Sequence, residues 1–261
     1  MGGIDFSGRA VVITGGTRGI GAGLAEAFLA AGAQVLVCAR SAPDSLPTGD
    51  GKAAVFYQAD VRDPAQAMAA VGEANEIFGR LDLVISNAGG SPSAVAATAS
   101  PRFHAKIIEL NLTAPLHVAQ AANAVMQQQP DGGSVIMIGS VSGTRPSPGT
   151  AAYGAAKAGL QHLVSSLAVE WAPKVRVNSV VPGFVQTAAA SDHYGGEDGA
   201  AAVAGTVPMQ RMATPADLAG ACMFLASPAA SYVSGASLLV HGGGEPPAFL
   251  AAVQASVYPR Q

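Results

Sequence analysis

A tyrosine and a lysine, Tyr153 and Lys157, stand four residues apart in a segment with helical periodicity, so both side chains lie on one helix face. Lys157 continues the apolar stripe of this segment, where an ordinary solvated lysine would be out of place. In a partly dry site its positive charge would lower the pKa of a neighbouring phenol from about 10. Such a tyrosine is a general acid for carbonyl reduction and a general base for alcohol oxidation. The stripe consists of Leu160, Leu163, Val164, Leu167, Ala168 and Trp171.

Two further polar residues are candidates for the same site. Ser140 follows a predicted strand, and ligands of open α/β sheets bind at the carboxyl ends of strands. It is the preferred donor to a substrate oxygen, and Ser142 is the alternative. Asn111 stands in a long predicted helix, and Pro115 lacks the N–H that would bond the Asn111 carbonyl. We hypothesise that this kinks the helix and lets a water bind on a proton path to Lys157; a solvated or back-bonded side chain is the alternative.

The turn 14–21 joins the first predicted strand to the first predicted helix and is rich in glycine. Its backbone N–H groups and the helix N-terminus would face a phosphate, which a Cβ at the glycine positions would obstruct. The common G-x-G-x-x-G spacing does not occur in the chain. The turn residues expected to contact a dinucleotide are Gly15, Thr17, Arg18, Gly19 and Ile20.

The end of the second predicted strand indicates which nicotinamide cofactor is bound. Sites for NAD usually place an acidic residue about 20 residues beyond the glycine turn, to accept from the ribose 2′-hydroxyl. Here the sequence is Ala39-Arg40-Ser41, with no carboxylate. Arg40, together with Arg18 in the turn, would pair with a 2′-phosphate. We therefore predict NADP(H) rather than NAD(H), with Arg40 and Ser41 at the adenosine end.

Short β-branched runs alternate with helical patterns along the whole chain. This alternation predicts the α/β class: one Rossmann-like, doubly wound parallel sheet with helices on both faces and no second domain. Segment 41–51 is expected to be a loop, and one long helix is expected between the fourth and fifth strands. The seven predicted strands are 10–14, 34–39, 54–58, 83–86, 134–139, 175–181 and 237–240, and the first two clear helices are 20–31 and 64–78.

Composition limits the class of protein. The 261-residue chain is 49% apolar and only 12% charged, with a net charge of −3. This composition argues against disorder, and no stretch is long and apolar enough for a transmembrane helix. No basic run is present, which argues against nucleic acid as a partner. Cys38 and Cys222 are expected to be free thiols in a reduced compartment, so we expect a cytoplasmic protein. No second histidine lies at ligand spacing from His193, so no metal site is expected.

Taken together, these residues resemble the short-chain dehydrogenase/reductase family in its classical, single-domain form. The resemblance extends from about Phe6 to Gly243. Segment 14–21 is similar to the family's T-G-x-x-x-G-x-G turn, and Asn111, Ser140, Tyr153 and Lys157 match its catalytic tetrad. The resemblance implies adenine contacts from Asp60 and Val61, a turn at Asn87, Ala88 and Gly89, and nicotinamide contacts from Pro182, Gly183, Val185 and Thr187.

The resemblance implies hydride transfer between a nicotinamide and a carbonyl or secondary alcohol. Ser140 would polarise the carbonyl oxygen, Tyr153 would pass the proton, Lys157 would bind the nicotinamide ribose and Asn111 would anchor a relay water. The expected function is NADPH-dependent reduction of a ketone or 3-oxoacyl carbonyl. Oxidation of a secondary alcohol or steroid with NAD(P) is one alternative, and a non-catalytic nucleotide sensor is another. The intact tetrad argues against the sensor.

Specificity is expected to reside outside these motifs. Residues 1–244 would form the catalytic domain, and the loop 188–212 would cover the substrate. That loop and segment 90–100 predict a modest pocket without a fixed charge. The tail 245–261 is an extension whose later part fits a short helix, either buried against a neighbouring subunit or frayed. His241 departs from the family pattern, which often has an aspartate there. A homo-oligomer, dimer or tetramer, is expected.

Overall fold

The buried strands foreseen from the sequence form the centre of the computed structural model, which describes residues 4–187, 194–247 and 249. The strands are β1 (Ala10–Thr14), β2 (Gln34–Ala39), β3 (Thr48–Gly49), β4 (Lys52–Ala53), β5 (Val55–Gln58), β6 (Leu83–Ser86), β7 (Gly133–Ile138), β8 (Val175–Pro182) and β9 (Ser237–Val240). The helices are α1 (Gly19–Ala30), α2 (Pro64–Phe78), α3 (Pro101–Ile108), α4 (Ala114–Met126), α5 (Ala151–Trp171), α6 (Glu197–Thr206) and α7 (Pro215–Ala226). A π-helical segment, Glu109–Thr113, joins α3 to α4.

Seven of these strands form one sheet in the order β5-β2-β1-β6-β7-β8-β9. Every neighbouring pair in this sheet is parallel. The chain runs outward from β1 in one direction and from β6 in the other, so the crevice above the carboxyl ends of these two strands is a switch point, where ligands of such sheets bind. The predicted doubly wound parallel sheet is confirmed.

Helices cover both faces of the sheet, as predicted. Because side chains alternate along a strand, β1 supplies both cores: Val12 packs on one face, and Val11 and Ile13 pack on the other. The first core lies under α2, α4 and α5, and the second lies under α1 and α7. Many helix residues facing the sheet are alanines, which lets the helices approach it closely.

Two predicted loops contain regular structure. Segment 41–51 was expected to be irregular, but β3 pairs with β4 in a small antiparallel hairpin. Gly49 of this hairpin lies against the end of α1, where a Cβ would be 2.6 Å from the carbonyl oxygen of Glu26. The expected loop 188–212 contains α6, whose first turn carries Glu197 and Asp198. Acidic residues at this end of a helix are favourable because of the helix dipole.

The predicted long helix between β6 and β7 is interrupted rather than simply kinked. Its centre is the π-helical segment, in which the N–H of Ala114 donates to the carbonyl oxygen of Glu109, five residues earlier. Pro115 lies in the first turn of α4, where its missing N–H is tolerated. Asn111 lies within this segment and is fully buried. A π-helical turn is often found at functional sites because it re-aims one side chain.

Candidate active site

The glycine turn 14–21 connects β1 to α1 at the switch point of the sheet. Gly15 and Gly19 have left-handed backbone, with φ of 62° and 55°. A Cβ on Gly21 would overlap the carbonyl oxygen of Gly15 and lie 2.6 Å from Nδ2 of Asn87. The first turn of α1 carries no acidic side chain. A cradle of backbone N–H groups therefore remains open at the N-terminus of α1, and the residues Thr17, Arg18 and Ile20 lie around it.

Asn87 and Thr14 hold this turn against the end of β6. The Asn87 side-chain amide donates to the carbonyl oxygens of Thr14 and Gly15 at 3.0 and 3.2 Å. The Thr14 hydroxyl accepts from the backbone N–H groups of Asn87 and Ala88, both at 3.0 Å. The Asn87-Ala88-Gly89 turn is therefore fixed to the glycine turn before any ligand binds. Thr14 was not among the predicted site residues, although its side chain is central to this arrangement.

Basic side chains lie at the rim of the crevice beyond β2. Arg18, Arg40 and Ser41 are exposed there. Asp60 lies in the adjoining turn, and the guanidinium of Arg62 binds both oxygens of its carboxylate. This ion pair lowers the pKa of Asp60. Because Arg62 neutralises Asp60, this rim offers basic side chains and no free carboxylate from Asp60 to an adenosine group.

Val61 completes this end of the site. Its side chain is buried, and it lies in the chain between β5 and α2. It directly follows Asp60, which the family resemblance places beside the adenine. The backbone N–H of Asp60 donates to Oε1 of Gln66 at 2.9 Å. A hydrogen bond from α2 thus fixes the turn after β5.

Asn111 and Lys157 come together around Gly89. A Cβ at Gly89 would lie 2.8 Å from Oδ1 of Asn111 and 3.4 Å from Nζ of Lys157. Gly89 is therefore the residue that allows these two side chains to approach the end of β6. The tetrad residues predicted from α5 and from the interrupted helix do meet at one point.

Asn111 is neither solvated nor free to rotate. Its Oδ1 accepts from the backbone N–H of Gly90 at 2.8 Å, and its Nδ2 donates to the carbonyl oxygens of Gly90 and Ile107, each at 2.9 Å. The bond to Ile107 is the back-bonded arrangement considered as an alternative. Asn111 therefore ties the loop after β6 to the π-helical segment, and its role in binding a relay water stays a prediction.

Lys157 is buried beside Tyr153. Its Nζ donates to the carbonyl oxygen of Ile138 at 2.8 Å and lies 5.6 Å from the centre of the Tyr153 ring. Burial lowers the pKa of Lys157 to about 8, because water no longer stabilises the ammonium form. The apolar stripe on α5 therefore carries a lysine whose charge is easily lost.

The side chains of Tyr153 and Ser140 interact, and Ser140 acts to lower the pKa of the phenol. We expected the nearby lysine to lower the pKa of Tyr153, but in the protein alone burial is the larger effect and raises it, opposed only by Ser140. The physical reason is that the phenol is surrounded by protein, so desolvation of the phenolate outweighs the effect of its neighbours. The Ser140 hydroxyl also accepts from the backbone N–H of Ser142 at 3.1 Å, which favours Ser140 over Ser142 as the substrate donor.

The segment after β8 forms the other side of the crevice. Pro182 ends β8, and the backbone N–H of Gly183 donates to Val240 of β9 at 3.1 Å. Val185 forms a parallel bridge with Ala213, just before α7. Across the crevice, a Cβ at Gly19 would lie 3.7 Å from Cγ2 of Thr187. The glycine turn and the segment predicted to hold the nicotinamide therefore face one another.

Beside Ser140 lies a cavity of about 290 Å³. His241, which departs from the family pattern, lines it together with the turn that follows β9. In this turn Gly242, Gly243 and Gly244 all have left-handed backbone, with φ of 63°, 96° and 84°. The lining residues are Val141, Thr144, Arg145, Gly183, Phe184, His241, Gly243, Gly244 and Glu245.

An ion pair crosses this cavity. Nη2 of Arg145 lies 2.6 Å from Oε1 of Glu245, and both side chains are about one-third exposed. No described residue of the segments 90–100 and 188–212 lines this cavity, so the expectation of an uncharged pocket there stays a prediction. Two distant segments bring these charges together, so their local sequences gave no signal. Tyr194 lies nearby: its ring meets Phe184 edge-on at 5.9 Å, and the charges of Arg145 and Glu245 both affect its pKa, which burial raises.

Some predictions concern residues outside the described part of the chain. His193, most of the tail 245–261 and the first six residues of the expected substrate cover, 188–193, lie there. Within the described residues, no cluster of three or more potential metal ligands is found. The helices described are all too short or too polar to cross a membrane.

Comparisons with known proteins agree with this geometry. A family model described as enoyl-(acyl carrier protein) reductase matches residues 15–245. The 3-oxoacyl-(acyl-carrier-protein) reductase FabG of Escherichia coli is 35% identical, and the match covers 92% of this chain and 98% of FabG. Sorbose reductase sou1 of Schizosaccharomyces pombe is 36% identical, over 92% of this chain and 96% of the relative.

A solved structure gives the same result for the fold. The structure of a short-chain type dehydrogenase/reductase from Mycobacterium ulcerans superposes with a TM-score of 0.86 at 30% sequence identity. The superposition covers 98% of this chain and 97% of that chain.

Proposed function

Because this chain belongs to the short-chain dehydrogenase/reductase family, we propose that it reduces a ketone or 3-oxoacyl carbonyl to a secondary alcohol with NADPH. As a member of this family it is an oxidoreductase acting on CH–OH or C=O groups with NAD(P). The observation that carries the finer proposal is the meeting of Ser140, Tyr153 and Lys157 beside the glycine turn. The similarity to a 3-oxoacyl reductase and to a sorbose reductase supports a carbonyl substrate.

The residues present fit a dinucleotide. Gly21 leaves no room for a Cβ beside Gly15, so the tight turn that precedes α1 requires glycine there. Among the described residues, no side chain caps the N-terminus of α1 and no acidic residue lies in its first turn, so its N–H groups suit a diphosphate.

The choice of NADPH rests on charge at the adenosine end. Arg18 and Arg40 are exposed at the rim, and Arg62 already neutralises Asp60. A 2′-phosphate would therefore meet guanidinium groups and no competing free carboxylate from Asp60. Planar guanidinium groups bind phosphate through paired hydrogen bonds, which favours the phosphorylated cofactor.

The chain's own residues would handle the proton and the carbonyl oxygen. NADPH, when bound, supplies the hydride. Ser140 would donate to the carbonyl oxygen, and Tyr153, whose raised pKa keeps it protonated at neutral pH, would give its proton to the same oxygen. Lys157 would hold the ribose and place a positive charge beside the phenol as that proton leaves. Asn111 fixes the loop at Gly90, so these groups keep their positions.

The first experiment measures reduction of ketones and acyl thioesters with NADPH and with NADH, followed by nicotinamide absorbance. We expect turnover with a higher kcat/KM for NADPH, and Arg40→Gln should reduce this preference by about tenfold, the loss of one charged hydrogen bond. Tyr153→Phe should abolish turnover and leave NADPH binding nearly intact. A preference for NADH would contradict the cofactor assignment.

Other outcomes select the alternatives. Turnover of secondary alcohols but not of ketones under matched conditions would favour an oxidative dehydrogenase. Tight NADPH binding without turnover of any carbonyl or alcohol would favour a nucleotide sensor. Retained activity of Tyr153→Phe would contradict the role given to Tyr153.

We also propose that the protein works in the cytoplasm as a homo-oligomer. Cys38 and Cys222 are buried free thiols, and burial raises the pKa of each to about 12, so both suit a reducing compartment. The edge strand β9 exposes Leu239, which supports contact with a second copy. No nucleic acid or membrane is proposed as a partner.

A further inference from the structure

Arg145 lies in the cavity beside Ser140, and only one of the two nitrogens on one edge of its guanidinium group makes a hydrogen bond within the described chain. In an arginine, Nε and Nη2 point to the same side and can bind both oxygens of one carboxylate. Nη2 of Arg145 donates to Glu245 at 2.6 Å, and Nη1 donates to the carbonyl oxygen of Pro146 at 3.0 Å. Nε of Arg145 is buried and has no hydrogen-bond partner among the described residues. Leaving a charged N–H group unpaired in this way is costly.

Other arginines of this protein use the same edge fully. Arg80 donates from Nε and Nη2 to the two oxygens of Asp82, at 2.7 and 2.6 Å. Arg62 binds Asp60 through the same two nitrogens. Glu245 therefore makes a weaker contact with Arg145 than a well-placed carboxylate would make.

Arg145 is fixed, whereas Glu245 is held by little else that is described. Arg145 follows the turn Val141–Gly143, which lies against α5: a Cβ on Gly143 would be 2.7 Å from the backbone nitrogen of Ala158. Glu245 follows three consecutive glycines, and among the described residues its only hydrogen bond is the one to Arg145. Partly exposed ion pairs of this kind contribute little to stability.

The cavity adjoins the reaction site. Val141 lines it and directly follows Ser140, and Phe184 lines it and packs on Tyr194. The charge of Tyr194 in turn affects Tyr153. A molecule with its carbonyl at Ser140 and Tyr153 would therefore extend into the cavity toward Arg145.

We propose that Arg145 binds a carboxylate group of the substrate in place of Glu245, so that the substrates are carbonyl compounds bearing a carboxylate. This inference rests on the proposed reductase function. Arg145 is then the specificity-determining residue, and Glu245 is a competitor within the chain that occupies the cation when no substrate is bound.

The test compares each member of an oxo-carboxylate series, from 3-oxobutanoate to 6-oxoheptanoate, with its methyl ester, which differs mainly in charge. The wild-type protein should reduce at least one acid with a lower KM than its ester. Arg145→Gln should raise the KM for that acid by about ten- to hundredfold, as expected for loss of a charged hydrogen bond, and leave the ester unchanged. Glu245→Gln should lower the KM for the acid. Lys52→Gln, which removes an exposed positive charge on β4, should change neither.

Binding is measured separately so that the two proposals can fail independently. Calorimetric titration of the wild type and Arg145→Gln with the same acid and ester, with NADP⁺ present, shows whether Arg145 raises the affinity for the acid over the ester even without turnover. Equal KM and equal affinity for acid and ester would overturn the inference, and so would an acid preference that survives Arg145→Gln. In either case, reduction of the esters would still support the reductase function. Binding of the acid through Arg145 without any reduction would overturn the proposed function alone. Arg145→Lys, which keeps the charge but loses the paired edge, should lie between the wild type and Arg145→Gln.

Discussion

The folded protein stabilises the charged form of Lys157 poorly. Lys157 is only 3% exposed, and among the described residues its side chain makes one hydrogen bond, to the carbonyl oxygen of Ile138. Its pKa is lowered from 10.5 to about 8 by burial. The folded protein therefore binds fewer protons than the unfolded chain between these two values, so stability rises with pH across that window. Below pH 8, burying the ammonium group is a cost that the active site requires.

This cost gives a prediction for the free protein. Lys157→Met should raise the free energy of unfolding at pH 7 by about 2 kcal/mol, because it removes a charge penalty of about 3 kcal/mol and loses a hydrogen bond of about 1 kcal/mol. It should also abolish turnover. Urea unfolding measures the effect, and the difference from wild type should shrink by pH 10, where the folded lysine is neutral.

The control for this prediction is Lys52→Met. Lys52 is exposed on β4, so its replacement should change stability by less than about 0.5 kcal/mol at either pH. Two results would show that burial does not destabilise the charged form of this lysine. One is a Lys157→Met variant less stable than wild type at pH 7, and the other is a gain in its free energy of unfolding over wild type that increases with pH.

The contact between the glycine turn 14–21 and the end of β6 determines whether the cofactor site forms. A Cβ at Gly21 would overlap the Gly15 carbonyl oxygen and press on Asn87. We predict that Gly21→Ala weakens NADPH binding by at least about tenfold and lowers stability by about 1–3 kcal/mol, as overpacking does. Fluorescence titration with NADPH and thermal unfolding measure the two effects.

Gly72 is a matched control in another helix. It lies in α2, and nothing stands within 4 Å of the position of a Cβ there. Gly72→Ala should therefore leave NADPH binding unchanged and raise stability by about 0.5–1 kcal/mol, the usual helix preference for alanine. If Gly21→Ala bound NADPH as tightly as Gly72→Ala, the close approach at Gly21 would not be needed for the site.

Periodic and local features of these elements were predictable from the sequence. The bounds of β1, β2, β6 and β9 agree with the predicted strands, because each is a short apolar run between turn residues. The tetrad residues were found because Tyr153 and Lys157 share a helix face, where spacing alone determines neighbours.

Features that depend on contacts between distant segments were not predictable. The π-helical segment forms where Asn111 bonds Gly90, which lies 21 residues earlier. Arg145 and Glu245 are 100 residues apart and meet only through the turn after β9. The raised pKa of Tyr153 likewise depends on how completely the folded chain excludes water, which no spacing reveals.

The whole molecule presents a parallel sheet that ends abruptly at β9. In the described chain β9 pairs only with β8, so one side of its backbone is open. Leu239 on this strand is 48% exposed, and Phe224 on the neighbouring α7 is 40% exposed. An open edge with exposed apolar side chains is a liability for a monomer, because it invites association. An edge covered by a second copy would remove that liability.

We therefore predict that the protein has two or four times the 25.8 kDa mass of the chain in light scattering after size exclusion. Leu239→Glu should shift it to a smaller species, because a buried carboxylate without a partner opposes association. Ile77→Glu is the matched control, since Ile77 on α2 is also 48% exposed but lies on a different element. A monomeric wild type would contradict the prediction, and equal dissociation by both variants would show that β9 is not the contact. A Leu239→Glu dimer that keeps full ketone reduction would show that the Tyr153 site works without that contact.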